Sequence, residues 1–136
     1  MVIANYAKII LLKKPKENVT RTELIEYLKN VHGPRNARLP GIKNYTLMVQ
    51  VDPEESDELP EGIEYYDAMD TIPAQISGTS YDTVEIHEFE TMADLIRAHN
   101  SEQLEEAGAD LHDVMDYEDE ITIVVEDEEI ANEPDL

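Results

Sequence analysis

His32, Arg35 and Arg38 stand close together in the run Leu-Lys-Asn-Val-His-Gly-Pro-Arg-Asn-Ala-Arg-Leu-Pro-Gly-Ile of residues 28–42. A histidine can give or take a proton near neutral pH, and a guanidinium beside it can steady negative charge developing on a carbonyl or phenolic oxygen. His32 falls at the last turn of a helix, before Gly33 and Pro34, where the helix dipole favours imidazolium and the chain can no longer stay regular. The plainer alternative is that His32 caps that helix by donating to its free carbonyls. A second group comes from residues 82–90, which alternate as a strand. Val84 and Ile86 point one way and Thr83, Glu85, His87 and Phe89 the other, so Glu85 and His87 share a face. The candidate catalytic residues are therefore His32, Arg35 and Glu85, and the candidate substrate-binding residues are Arg38, Tyr45, His87 and Phe89. No metal site is expected. The four histidines, His32, His87, His99 and His112, include no pair at ligand spacing, and His99 and His112 read as surface helix residues. Without a cysteine there is no disulfide framework, thiol nucleophile or thiolate ligand.

The elements that must hold these residues follow a simple order. Residues 6–13 form a first strand, whose unbroken apolar run Ile9-Ile-Leu-Leu12 predicts burial on both faces. Thr20-Arg-Thr-Glu23 starts a helix with Leu24, Tyr27, Leu28 and Val31 on one side, and Pro34 is expected to stop or kink it near His32 and to open a short second turn through Leu39 before Pro40-Gly41. Residues 42–51, holding Tyr45, Leu47 and Met48, form a second strand. Residues 52–80 carry Pro53, Pro60, Pro73, Gly62 and Gly78 and are expected to be a long irregular loop. After the third strand, Thr91 begins a second helix, Asn100-Ser101 permits a break and a new cap, and Ile121-Thr-Ile-Val-Val125 is a fourth strand. The order is βαββαβ, the ferredoxin-like split βαβ of α+β proteins, with two helices on one face of an antiparallel sheet. First and last strands apolar on both sides need cover on the other face, and a second copy of the sheet supplies it, so a homodimer is expected. One domain over residues 1–125 and an acidic, disordered tail over 126–136 complete the expectation.

The net charge is −22, yet 41% of residues are hydrophobic, enough to fill a core, so the charge sits on a folded surface. Such acidity argues against nucleic acid and anionic membranes as partners. No signal peptide or membrane span is read, and a cytoplasmic location is the default. The charge is uneven: residues 1–43 hold nine of the ten lysines and arginines and only three of the 32 acids, so the two parts of the chain should attract. An acid excess of this size suits concentrated salt, where screening shortens to roughly 3 Å at 1 M, and it points to a halophilic source.

From Ala7 to Val125 the chain resembles the EthD-like family of dimeric α+β barrel proteins. The resemblance is carried by Lys8-Ile-Ile-Leu-Leu-Lys-Lys-Pro15, Tyr27-Leu-Lys-Asn-Val-His-Gly-Pro-Arg35, Arg38-Leu-Pro-Gly41, Tyr81-Asp-Thr-Val-Glu85 and Phe89-Glu90. Its most specific pieces are the Val-His-x-Pro run and Arg-Leu-Pro-Gly, and the family's central histidine falls on His32. The resemblance implies two sheets meeting as a barrel and a link to the degradation of ethers and other hydrophobic compounds. Relatives in the superfamily include cofactor-independent monooxygenases, isomerases, dehydratases and some haem proteins. Residues 52–80 and the acidity depart from the usual pattern. The expected function is a cofactor-independent enzyme acting on a small hydrophobic compound, oxidoreductase or lyase/isomerase, with His32 as acid/base. Haem on a single axial histidine is the lesser cofactor alternative. The competing reading is a non-catalytic binding or accessory protein, with His32 only shaping the pocket.

Overall fold

The computed structural model describes residues 6–51 and 81–128. The expectations for residues 52–80 and for the end of the tail lie outside the described residues. Four strands, β1 (Ala7–Lys13), β2 (Ile42–Val49), β3 (Thr83–Phe89) and β4 (Ile121–Glu126), form one antiparallel sheet in the order β2-β3-β1-β4. That order, with helical segments after β1 and after β3, is the ferredoxin-like α+β fold. The second helical run is α3 (Met92–His99) and α4 (Glu102–Gly108), which do break at Asn100-Ser101. Thr20, Thr91 and Ser101 each accept a backbone N–H three residues on, as their side chains predict. Among the described residues no helix is long and apolar enough to cross a membrane. Glu126 belongs to β4 and Asp127 donates its N–H to the Tyr6 carbonyl, so the acidic end is tied to the sheet further than expected.

Near His32 the first helical run is interrupted but not ended, and Pro34 lies in the first turn of the short helix that follows. Helix α1 (Arg21–Tyr27) continues through one wide π-helical turn, Leu28–His32, into α2 (Gly33–Asn36). Pro34 clashes chiefly with the Cβ of the residue before it, and Gly33 has none, so Gly33 keeps helical angles of −59° and −51°. Its N–H reaches back five residues to the Leu28 carbonyl, the bond that defines the wide turn. The run ends at a turn in which Ile42 N–H bonds to Leu39 O across Pro40-Gly41, with Gly41 at φ +76°, as a type II turn requires.

Pairing register places each side chain on one of two faces. Toward the helices lie the rows Leu47–Glu85–Leu11–Thr122 and Tyr45–His87–Ile9–Val124; away from them lie Met48–Val84–Leu12–Ile121 and Thr46–Ile86–Ile10–Ile123. The helix side builds the core in two parts. Ala7, Ile9, Leu39, Phe89, Leu95 and Ala98 form one, and Leu24, Leu28, Leu111 and Met115 the other. Each fully buried leucine contributes on the order of 1.5–3 kcal/mol. The far face is apolar and open, with Met48, Ile121 and Ile123 exposed.

The charge division shows in the ion pairs. Lys8 meets Glu88 and Asp127, Lys13 meets Glu85 and Glu120, Lys14 meets Asp119, Arg21 meets Asp82, and Arg35 meets Asp110, each joining the basic first part to the acidic remainder.

Candidate functional site

A cavity of about 390 Å³ lies between sheet and helices, where the two parts of the core meet, with Ile9, Leu11, Leu104 and Leu111 on its wall. His32, Asn36, His87, His99 and Lys13 also line it. His32 is buried and reaches the cavity because the wide turn Leu28–His32 carries it to the inner side of the helical run. Its Nδ1 donates to the Ala107 carbonyl of α4 at 2.8 Å, so the expected cap within its own helix is instead a latch between two helices. A carbonyl can only accept, which fixes the proton on Nδ1 and leaves Nε2 as the atom whose protonation can change. Nε2 lies 3.7 Å from Glu85 Oε2, beyond direct hydrogen-bonding distance.

Glu85 stands behind the wall, fully buried, with Lys13 Nζ at 2.7 Å and the Nε2 atoms of His32 and His87 at 3.7 and 3.9 Å. Burial alone would raise its carboxyl, but the approach of His32 and the charge of Lys13 outweigh that and hold it down at about 2. Lys13 is buried as well and meets a second carboxylate, Glu120, at 3.3 Å. His87 is pushed down to about 4, by burial first and then by His99, Lys13 and His32 against the pull of Glu85, so it is neutral at pH 7. Both His87 nitrogens lack a hydrogen bond among the described residues. His99 stacks on His87 at 5.7 Å between ring centres, meets Phe89 edge-on, and bonds through Nδ1 to Leu95 O at 2.9 Å.

The structure thus brings together His32, Glu85 and His87 from the expected set. It does not bring Arg35 and Arg38 to the cavity. Arg35 turns to the carbonyl of Glu106 near the end of α4 and to Asp110, and with Arg38 it lines a separate groove outside that helix. Tyr45 sits beside His87, with 5.3 Å between ring centres, but lines a shallow hollow with Gly33 and Pro34. Its phenol is pushed upward by burial and then by Glu85. Phe89 is a core residue that backs His99 rather than a cavity wall. Lys13, Asn36 and Glu120 line the cavity without having been singled out, and His99, expected as a surface residue, lines it too; the four-residue spacing of Leu95 and His99 was the one signal placing His99 on the inner side of α3. Among the described residues no group of three or more histidines and carboxylates could hold a metal ion. For the haem alternative, the Nδ1 bond to Ala107 O is what an axial histidine uses, but Nε2, the atom that would bind iron, lies 3.7 Å from the buried Glu85 carboxylate.

No protein-family model matches the chain, and no curated protein sequence matches it. Solved structures do resemble it. An ethyl tert-butyl ether d (EthD) family protein from Bacillus halodurans aligns at TM-score 0.61 and 14% identity, over 92% of this chain and 99% of that one. The hydroxynitrile lyase of Passiflora edulis aligns at TM-score 0.63 and 12% identity, over 96% and 100%. SnoaB from Streptomyces nogalater, a cofactor-independent oxygenase, aligns at TM-score 0.54 and 11% identity, over 96% and 99%. At such identities the likeness is one of fold, and one fold hosts many chemistries.

Proposed function

We propose that this chain is a cofactor-independent enzyme of the EthD-like type that binds a small hydrophobic compound in the central cavity and moves a proton at His32. The observation that carries the reading is His32 itself, on the wall of an apolar cavity, with Nδ1 fixed by Ala107 O and a buried carboxylate 3.7 Å from Nε2. In this reading Glu85 stabilises the imidazolium formed when His32 accepts a proton, and Lys13 keeps Glu85 ionised. Neutral His87 supplies a second hydrogen-bonding group. Two of the similar structures, a lyase and a cofactor-independent oxygenase, are enzymes on the same fold, which supports a small-molecule reaction and does not choose between lyase, isomerase and oxidoreductase chemistry. The apolar far face supports a homodimer, as the expected barrel requires.

A second reading, a binding or accessory protein without turnover, is favoured by the apolar wall of Ile9, Leu11, Leu104 and Leu111, which can hold a hydrophobic compound with no chemistry at His32. A ligand screen by thermal shift, followed by turnover assays on the compounds that bind, separates the two. His32→Ala should abolish turnover while ligand still binds. A variant with full activity would remove His32 from the mechanism.

A further inference from the structure

We propose that the cavity accepts an uncharged hydrophobic molecule bearing a hydroxyl group, received by Asn36 Oδ1, and turns away organic anions. The inference rests on the reading of the cavity as a small-molecule site. Asn36 is fully buried on the cavity wall, and its Nδ2 donates to the His32 carbonyl at 3.0 Å. A carbonyl accepts only, so the amide orientation is settled and Oδ1 is the group left over. Oδ1 has no donor among the described residues. A buried acceptor without a donor is costly, and a ligand that brings an O–H recovers the cost. On the wall of the same cavity, the neutral ring of His87 offers one donor and one acceptor, both unpartnered among the described residues, so it complements a hydroxyl whichever tautomer it takes.

The charges on the wall argue against an anion. Lys13 is already held by two carboxylates, Glu85 at 2.7 Å and Glu120 at 3.3 Å, and Glu105 adds another at the cavity edge. His32 faces Glu85, and Arg35 and Arg38 lie in the outer groove. A carboxylate or phosphate entering the cavity meets excess negative charge, and the one lysine on its wall is already held by two carboxylates. An uncharged hydroxyl meets neither obstacle, and leaving Oδ1 unpaired is what disfavours analogues that cannot donate.

The test uses the full chain at pH 7 and three probes of one shape, 2-naphthol, 2-methoxynaphthalene and 2-naphthoate, by titration calorimetry. Naphthol should bind most tightly, with the ether and the carboxylate each about tenfold or more weaker. Asn36→Leu should bring naphthol and its ether to the same affinity, and Glu120→Gln should narrow the gap between naphthol and naphthoate by loosening the hold on Lys13. Should Asn36→Leu fail to fold, the two ratios in the unmodified chain decide alone. Equal binding of all three probes overturns this inference and leaves the cavity reading standing. Binding of none overturns both.

Discussion

Lys13 Nζ and Glu85 Oε2 lie 2.7 Å apart although 72 positions separate the residues in the chain. They meet because β1 and β3 are antiparallel neighbours with Leu11 opposite Glu85 and Lys13 opposite Thr83, which makes Lys13 and Glu85 a diagonal pair on the helix side. Removing one partner leaves a buried charge without compensation. Lys13→Met should cost about 3–5 kcal/mol in urea unfolding, and Lys13→Met with Glu85→Leu should recover most of it. A double variant that loses the sum of the two single losses would mean the pair is not coupled.

Acid should unfold the protein in two stages. His87 is held down at about 4 from an ordinary 6.5, so between these values the unfolded chain binds the extra proton and stability falls as pH drops, by an amount on the order of 3 kcal/mol. Glu85 is held down at about 2 from 4.5, so its contribution is intact above 4.5 and is lost as pH falls toward 2. Melting temperatures measured from pH 8 to 2 should show both losses, and His87→Phe should remove the first.

A methyl group at Gly33 would stand 2.6 Å from the Leu28 carbonyl oxygen and 3.1 Å from Tyr45 Cε1. Backbone on one side and a ring on the other leave little room to give. Gly33→Ala should therefore lower stability by about 1–3 kcal/mol, read as a drop in melting temperature. An unchanged melt would show that the wide turn yields easily.

The open face of the sheet, with Leu12, Val84 and Ile86 inside a border of exposed Met48, Ile121 and Ile123, should bury roughly 1,600 Å² or more in a dimer. Ile10→Asp should give monomer or unfolded chain by light scattering. Lowering salt from molar to tenth-molar lengthens screening to roughly 10 Å, and the charge of −22 should then loosen the dimer, visible as a lower melting temperature. A stable monomer in high salt would count against the sheet-to-sheet arrangement.

Much of the architecture was legible because local signals agreed with one another. Three cap residues, four strands and the shared face of Glu85 and His87 follow from patterns a few residues long. The site was legible only in part. Lysine reads as solvated, and nothing short of strand register shows that Lys13 turns inward onto Glu85. Arg35 lies close to His32 along the chain, but a long side chain chooses its own partner, and the Glu106 carbonyl and the Asp110 carboxylate hold it outside. At Pro34 the run is interrupted rather than stopped, because a glycine before it and a wide turn absorb what Pro34 disrupts.

That wide turn makes the helical run count differently on its two sides. A regular α-helix advances about 100° per residue, so the one extra residue accommodated in Leu28–His32 rotates everything after it relative to Leu24 and Leu28. In a regular helix each four-residue step drifts by about 40°, so Leu24, Leu28, His32 and Asn36 would spread over about 120°; the wide turn cancels part of that drift and keeps His32 and Asn36 on the inward side, on the cavity wall beside the core that Leu24 and Leu28 fill. The binding wall is thus a matter of helical phase: deleting one residue within the turn would leave every side chain chemically intact and point Asn36 elsewhere.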